Sequence, residues 1–264
     1  MKPLEIGLQT YTIREFMADP KQLEESLKKV KEIGYKNIQM GTPAYMSTRE
    51  YKSLLDKLGM KTCSSNGNYE NMLENPSTVK DAAEKAQILE TGFISIGTIP
   101  AALRGSKEGY KQFALGMNQI GGELKKAGLK LSYHSHALEF AKFNNCTGMD
   151  ILACESDPES VYFCVDTHWI HAGGKNPTDY IRSLKGRVTL VHFKDYVVDD
   201  QVARIEQVNK HFAEIGEGNL DWPKIIDACC DSGTEVVIVE QDICKGSPFE
   251  SIKISYDNLK RFGL

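Results

Sequence analysis

Residues 161–174 read VYFCVDTHWIHAGG, an apolar run at 161–165 that ends in Asp166, Thr167, His168, Trp169 and His171. A strand buried on both faces reads as a near-continuous apolar run. An acid at its end is costly unless it is paired, ligated or at a rim. Either the stretch is a surface turn or it borders a site, and the rest of the chain decides between them.

The unit recurs. Short apolar or β-branched runs lie at 4–10 (LEIGLQT), 36–41 (KNIQMG), 61–65 (KTCSS), 93–97 (FISIG), 129–136 (LKLSYHSH), 161–166 (VYFCVD), 187–196 (RVTLVHFKDY) and 235–242 (EVVIVEQD). Each is followed by a segment of helical periodicity: 20–34, 47–59, 75–92, 106–128, 146–156, 176–186, 221–233 and 248–263. Gly34 and Gly59 suit helix C-caps, and Ser47 or Thr48 suits an N-cap. Strands alternating with helices imply parallel pairing through right-handed crossovers. Eight such units close a (β/α)8 barrel. A doubly wound sheet would show a Gly-rich turn after its first strand, and LQTYTIRE has none. The expected fold is therefore α/β, a single (β/α)8 TIM barrel occupying residues 1–264 as one domain.

Composition narrows the function. The chain has 264 residues, 41% hydrophobic and 26% charged, with a formal net charge of −4. That balance argues against a nucleic-acid partner, which would favour a basic surface. The start, MKPLEIGLQTYTIREF, lacks the apolar core of a signal peptide. No stretch approaches the ~20 apolar residues of a membrane span. The seven cysteines show no CxxC spacing and read as reduced thiols. A cytoplasmic protein with a small-molecule partner is expected; a homo-oligomer is compatible with the sequence.

In a barrel the C-terminal strand ends form the active face. The polar residues collected there are His134 and His136 on the fifth run, Asp166 and His168 on the sixth, His192 and Lys194 on the seventh, and Glu240 and Asp242 on the eighth. The first run adds Gln9 and Tyr11. His, Asp, His and Glu from four adjacent strand ends suit one divalent ion of Mn, Mg, Co or Zn. The metal set is thus His134, Asp166, His192 and Glu240, with His136 the alternative on the fifth strand. Plainer readings exist for each: Asp166 as a helix N-cap, His192 as a hydrogen-bonded core residue, Glu240 paired with a cation. Gln9, Tyr11, His168, Trp169 and Lys194 are candidate substrate contacts, Trp169 as a platform for a sugar's C–H face. His211 is placed in a polar surface loop, and 216–218 (GEG) in a turn. Arg14 reads as a helix-end or salt-bridge residue before a phosphate anchor. With no Arg/Lys cluster at the seventh and eighth strands, a phosphorylated substrate is not supported.

LQTYTIRE, LSYHSHALEF, VDTHWIHAGGKNP, VHFKDY, GEGNLDW and VEQD together resemble the xylose-isomerase-like barrels named sugar phosphate isomerases/epimerases. Ketose 3-epimerases, inosose dehydratases, dehydroshikimate dehydratases and endonuclease IV belong to the same superfamily. The resemblance implies metal ligands Glu, Asp, His and Glu at the ends of strands 5 to 8. Asp166, His192 and Glu240 match in type, whereas His134 stands where a glutamate is implied. The epimerases resemble two-base machines, and an imidazole ligand removes one of the two carboxylates. Glu240 is then the expected base, with His136 and Glu139 as further acid–base candidates. The resemblance implies an isomerase or epimerase acting beside the carbonyl of an unphosphorylated keto-sugar. A lyase eliminating a β-group from a keto-sugar or inosose, and a non-catalytic sugar-binding barrel, are the alternatives. An endonuclease is disfavoured because its extra histidines on strands 2 and 3 have no counterpart in KNIQMG and KTCSS.

Overall fold

A computed structural model describes residues 3–264. Eight parallel strands close into a barrel: β1 (Glu5–Gln9), β2 (Asn37–Gln39), β3 (Lys61–Gly67), β4 (Phe93–Ile96), β5 (Lys130–His134), β6 (Val161–Asp166), β7 (Val188–Phe193) and β8 (Val236–Val239). Neighbours follow chain order around the ring, and β1 closes it against β8. Seven crossover helices and an eighth after the last strand form where periodicity places them. They begin with Pro20–Ile33, closed by Gly34, and Thr48–Leu58, capped by Ser47 in a capping box with Glu50. They end with Trp222–Ser232 and Pro248–Arg261. No helix among the described residues is long and apolar enough to cross a membrane.

Two apolar layers hold the barrel. Phe93, Cys164, Leu190, Val236 and Ile238 pack inside it, with Cys63 against them. The intervening strand residues, such as Val165, Val191, Val237 and Val239, face the helices in the main core. Side chains alternate along a strand. Two residues beyond the inner Cys164, Leu190 and Ile238 therefore come Asp166, His192 and Glu240. The apolar interior changes to a polar one in a single layer, at the C-terminal mouth.

The structure departs from the sequence reading mainly between the strands. β5 stops at His134; His136 opens a 3-10 turn, Ala137–Phe140, so it does not continue the strand. Short helices at Tyr69–Glu74 and Thr167–Ala172 were not expected; the second is denoted α1 below. After β7 the chain makes an antiparallel hairpin, Asp195–Asp199 with Asn209–Ala213, where a loop was expected. His211 therefore sits on a strand, 3.3 Å from the Asp199 carboxylate. The hairpin is anchored by Asp195, whose buried carboxylate accepts from the backbone N–H groups of Tyr196, Gly216, Gly218 and Leu220 and from Trp222 Nε1. GEG is a turn, with Gly216 at φ +86°, and any Cβ on Gly218 would run into Asp195 and the Tyr196 carbonyl. Glu217 accepts from Asn258 Nδ2 at 2.8 Å, away from the barrel mouth.

Candidate metal centre and cavity

Register places the four candidate ligands together. Asp166 lies directly opposite His192 across the β6–β7 pairing. His134 pairs with Cys164, one layer lower on β6. The backbone N–H of Glu240 is held by Phe193 O at 3.0 Å, just past the end of β8. One ligand atom from each of His134, Asp166, His192 and Glu240 lies within 4.8 Å of all the others. The His134 side chain is 12% exposed and Asp166 0%, while His192 and Glu240 are 1% and 6%.

Asp166 serves both readings at once. Its Oδ1 accepts from Trp169 N–H at 3.0 Å and caps α1, while Oδ2 turns into the cluster. There Oδ2 is 3.8 Å from His134 Nε2, and neither atom has a hydrogen-bond partner. Lys194 Nζ is 3.1 Å from the same oxygen, an ionic contact without hydrogen-bond geometry. The ammonium also lies 2.9 Å from Glu240 Oε2 and 3.0 Å from Asp242 Oδ2. Thr167 fixes its backbone, accepting from Lys194 N–H at 2.9 Å and donating to Lys194 O at 2.8 Å.

The electrostatics follow from burial set against these pairs. Burial alone would raise the Asp166 pKa, but the Lys194 ammonium and His134 together outweigh it and hold the carboxyl at about 2. Glu240 is likewise held well below the usual carboxylate range, burial being overcome by His192 and Lys194. Burial opposes the charge on Lys194, yet Asp166, Glu240 and Asp242 keep it protonated above the ordinary lysine range. Burial pushes His134 down, helped by His192, and pushes His136 down to about 4, so both imidazoles are neutral near pH 7.

This donor set fits a divalent cation. Neutral imidazoles and ionised carboxylates are the ligand forms an ion needs. Three carboxylates gathered around one ammonium give the cluster an acidic character that a divalent ion would complement. The unpartnered Asp166 Oδ2 and His134 Nε2 face the place where it would sit. His192 Nδ1 is 2.7 Å from Glu240 Oε2 and its Nε2 is 2.5 Å from Gln39 Oε1, which also accepts from Gln9 Nε2 at 2.8 Å. A histidine fixed through its other nitrogen by an oxygen partner is the usual arrangement for a ligating ring.

The cluster forms one wall of a cavity of about 510 Å³. Of the expected substrate contacts, Gln9, Tyr11, Trp169 and Lys194 line it, as do the acid–base candidate His136 and Asp242. Gln39, Asn66 and Ser95, which the sequence reading passed over, complete the opposite wall. Their signal was present: amides and a hydroxyl on the C-terminal residues of β2, β3 and β4. Glu139 does not reach the cavity. It is fully buried, accepting from Tyr133 Oη at 2.5 Å and His136 N–H at 2.7 Å, so it braces the loop after β5 where an acid–base role was expected. Burial raises its pKa. His168 is turned away as well, into a separate cavity beside His171. Arg14 bonds the carbonyls of Tyr11 and Asp242, stacked 4.1 Å from the Tyr11 ring centroid, and does not line this cavity.

Residues 27–261 match the family of xylose isomerase-like TIM barrels, and the chain belongs to that family. An inosose dehydratase of Lacticaseibacillus casei is 27% identical over 154 residues, 53% of this chain and 50% of that protein. The chain thus spans about half the length of the curated relatives it matches. A solved sugar phosphate isomerase/epimerase from Parabacteroides distasonis has a TM-score of 0.80 at 21% identity, covering 98% of this chain and 94% of its own. The IOLI protein, solved with a bound zinc atom, has a TM-score of 0.72 at 15% identity over 98% of both chains.

Proposed function

We propose that the protein is a divalent-metal enzyme acting beside the carbonyl of an unphosphorylated keto-sugar or inosose, and that its site favours β-elimination over two-base epimerisation. One observation carries this reading: the carboxylates, imidazoles and ammonium of the cavity are gathered on one side. His134, His136, His192, Lys194, Glu240 and Asp242 come from the ends of β5, β7 and β8, joined by the buried Asp166 from β6. Across the cavity stand Gln39, Asn66 and Ser95, two amides and a hydroxyl that carry no charge, and the half-exposed Tyr11 phenol at the rim. Epimerisation needs a second group to return the proton from the opposite face. Elimination does not.

A bound divalent ion supplies a Lewis acid for the carbonyl oxygen and for charge developing on it. Glu240, kept ionised by His192 and Lys194, takes the proton from the carbon next to the carbonyl. The freed electron pair forms the C=C bond, and the C–O bond at the β-carbon breaks. The proton on Glu240 passes to the departing hydroxide on the same face, which leaves as water. Lys194 fixes the Glu240 and Asp242 carboxylates throughout. Neutral His136 can hold a substrate hydroxyl, and the Trp169 ring offers its face to ring C–H groups.

The inosose dehydratase relatives support this reading. The net charge of −4 supports a reaction without a nucleic-acid partner. The test is a metal-supplemented panel of keto-sugars and inososes followed by NMR in D2O. A vinylic product signal is expected for at least one substrate. An epimer as sole product would overturn the preference for elimination, and no reaction or exchange with any metal would overturn the enzymatic reading.

A further inference from the structure

Behind Trp169, on the same face of the barrel, lies a second cavity of about 270 Å³. His168 and His171 on α1, Lys210, His211 and Phe212 on the hairpin, and Ile243 and Lys245 after β8 form its walls. No aspartate or glutamate lines it, and neither lysine makes an ion pair among the described residues. Lys210 Nζ points at His171 Nε2 from 3.1 Å and lies 4.9 Å over the Tyr196 ring, so its neighbours are neutral. His168 Nδ1 is buried without a partner. The rest of the wall is apolar: the Phe212 ring 4.8 Å from that of His168, and Ile243, a large side chain left 68% exposed. None of these residues lines the metal cavity.

We propose that this cavity is a binding site for a ring-bearing carboxylate. The ring would lie between Phe212 and Ile243, and the carboxylate would face Lys210 and Lys245. An apolar cavity of about 150 Å³ already holds a benzene ring, so this one leaves room for the anionic group. Among the described residues, Lys210 and Lys245 make no ion pair beside this apolar slot, the nearby Asp199 carboxylate being held by His211 at 3.3 Å, and they select such a ligand over a neutral ring because only the anion offers them a direct partner. The inference stands independently of the reaction proposed above.

Benzoate is the probe, with benzyl alcohol as its neutral counterpart, titrated into chelator-treated full-length protein and followed by calorimetry and the His168 and His171 ring resonances. Benzoate is expected to bind and shift both rings, with benzyl alcohol at least about tenfold weaker. The double substitution Lys210→Gln and Lys245→Gln, both at the cavity edge, should weaken benzoate by about tenfold or more, while Glu240→Gln leaves it unchanged. The proposal is overturned if benzoate fails to bind at about 10 mM, if both ligands bind alike, or if the double variant keeps the parent affinity.

Discussion

The two arcs of the barrel mouth are built alike and charged differently. On the arc of β1 to β4, strand ends present Gln9, Gln39, Asn66 and Ser95, which hydrogen-bond but hold no charge. Gln9 is bonded to Gln39, and Gln39 to His192. On the arc of β5 to β8, the equivalent layer carries His134, Asp166, His192 and Glu240 around one buried ammonium. The first arc can recognise hydroxyls; the second can hold an ion and move a proton. Under the proposed function, proton transfer belongs to the charged arc and substrate orientation to the neutral one.

The largest test of that contrast is Glu240→Gln. Turnover and solvent exchange should fall by about a thousandfold or more, roughly 4 kcal/mol, with the thermal transition retained. A variant keeping a tenth of the parent rate would move the base elsewhere on the arc. Next comes Lys194→Met, which leaves three carboxylates without their cation. Breaking a buried pair from one side costs about 3–5 kcal/mol. Urea denaturation of chelated protein should show that loss, and added Mn should restore much of it. A loss that Mn leaves untouched would mean the lysine and the ion do not share those oxygens.

The pH dependence of stability sharpens the comparison further. Burial lowers the folded-state pKa of His136 from 6.5 to about 4. The folded form therefore binds fewer protons than the unfolded chain between these values. The stabilisation is complete above pH 6.5 and is lost as pH falls toward about 4, on the order of 2–3 kcal/mol. His136→Asn should flatten part of that acid limb in chelated protein. His168, lowered to about 4 by the same cause, accounts for more of it. An unchanged limb would show that the ring is solvated. The smallest effect belongs to the neutral arc. Gln39→Leu should weaken substrate binding or metal affinity by about fivefold, near 1 kcal/mol, without abolishing turnover. A loss as large as that of Glu240→Gln would erase the distinction between the arcs.

Much of this was legible in the chain because period is a strong signal. The switch from apolar to ionisable residues at Asp166, His192 and Glu240 falls on inward positions two residues past Cys164, Leu190 and Ile238. Strand alternation alone projects those side chains into the mouth. What escaped lay off the strands, where no period operates. Glu139 is close to His136 in sequence, yet a 3-10 turn points its carboxylate back at Tyr133. His168 follows Asp166 by two residues, but α1 begins at once and rotates it into the second cavity. The neutral arc was passed over because amides at strand ends carry no charge to mark them.

Under the proposed function, His134, Asp166, His192 and Glu240 hold one divalent ion. Calorimetric titration of chelator-stripped protein with Mn, Mg, Co and Zn, alongside Asp166→Asn and His192→Ala, tests it most directly. One equivalent of at least one metal should bind the parent, and either substitution should weaken it by about a hundredfold. No binding up to about 1 mM, or equal binding by parent and variants, would mean that these four residues do not form a metal site.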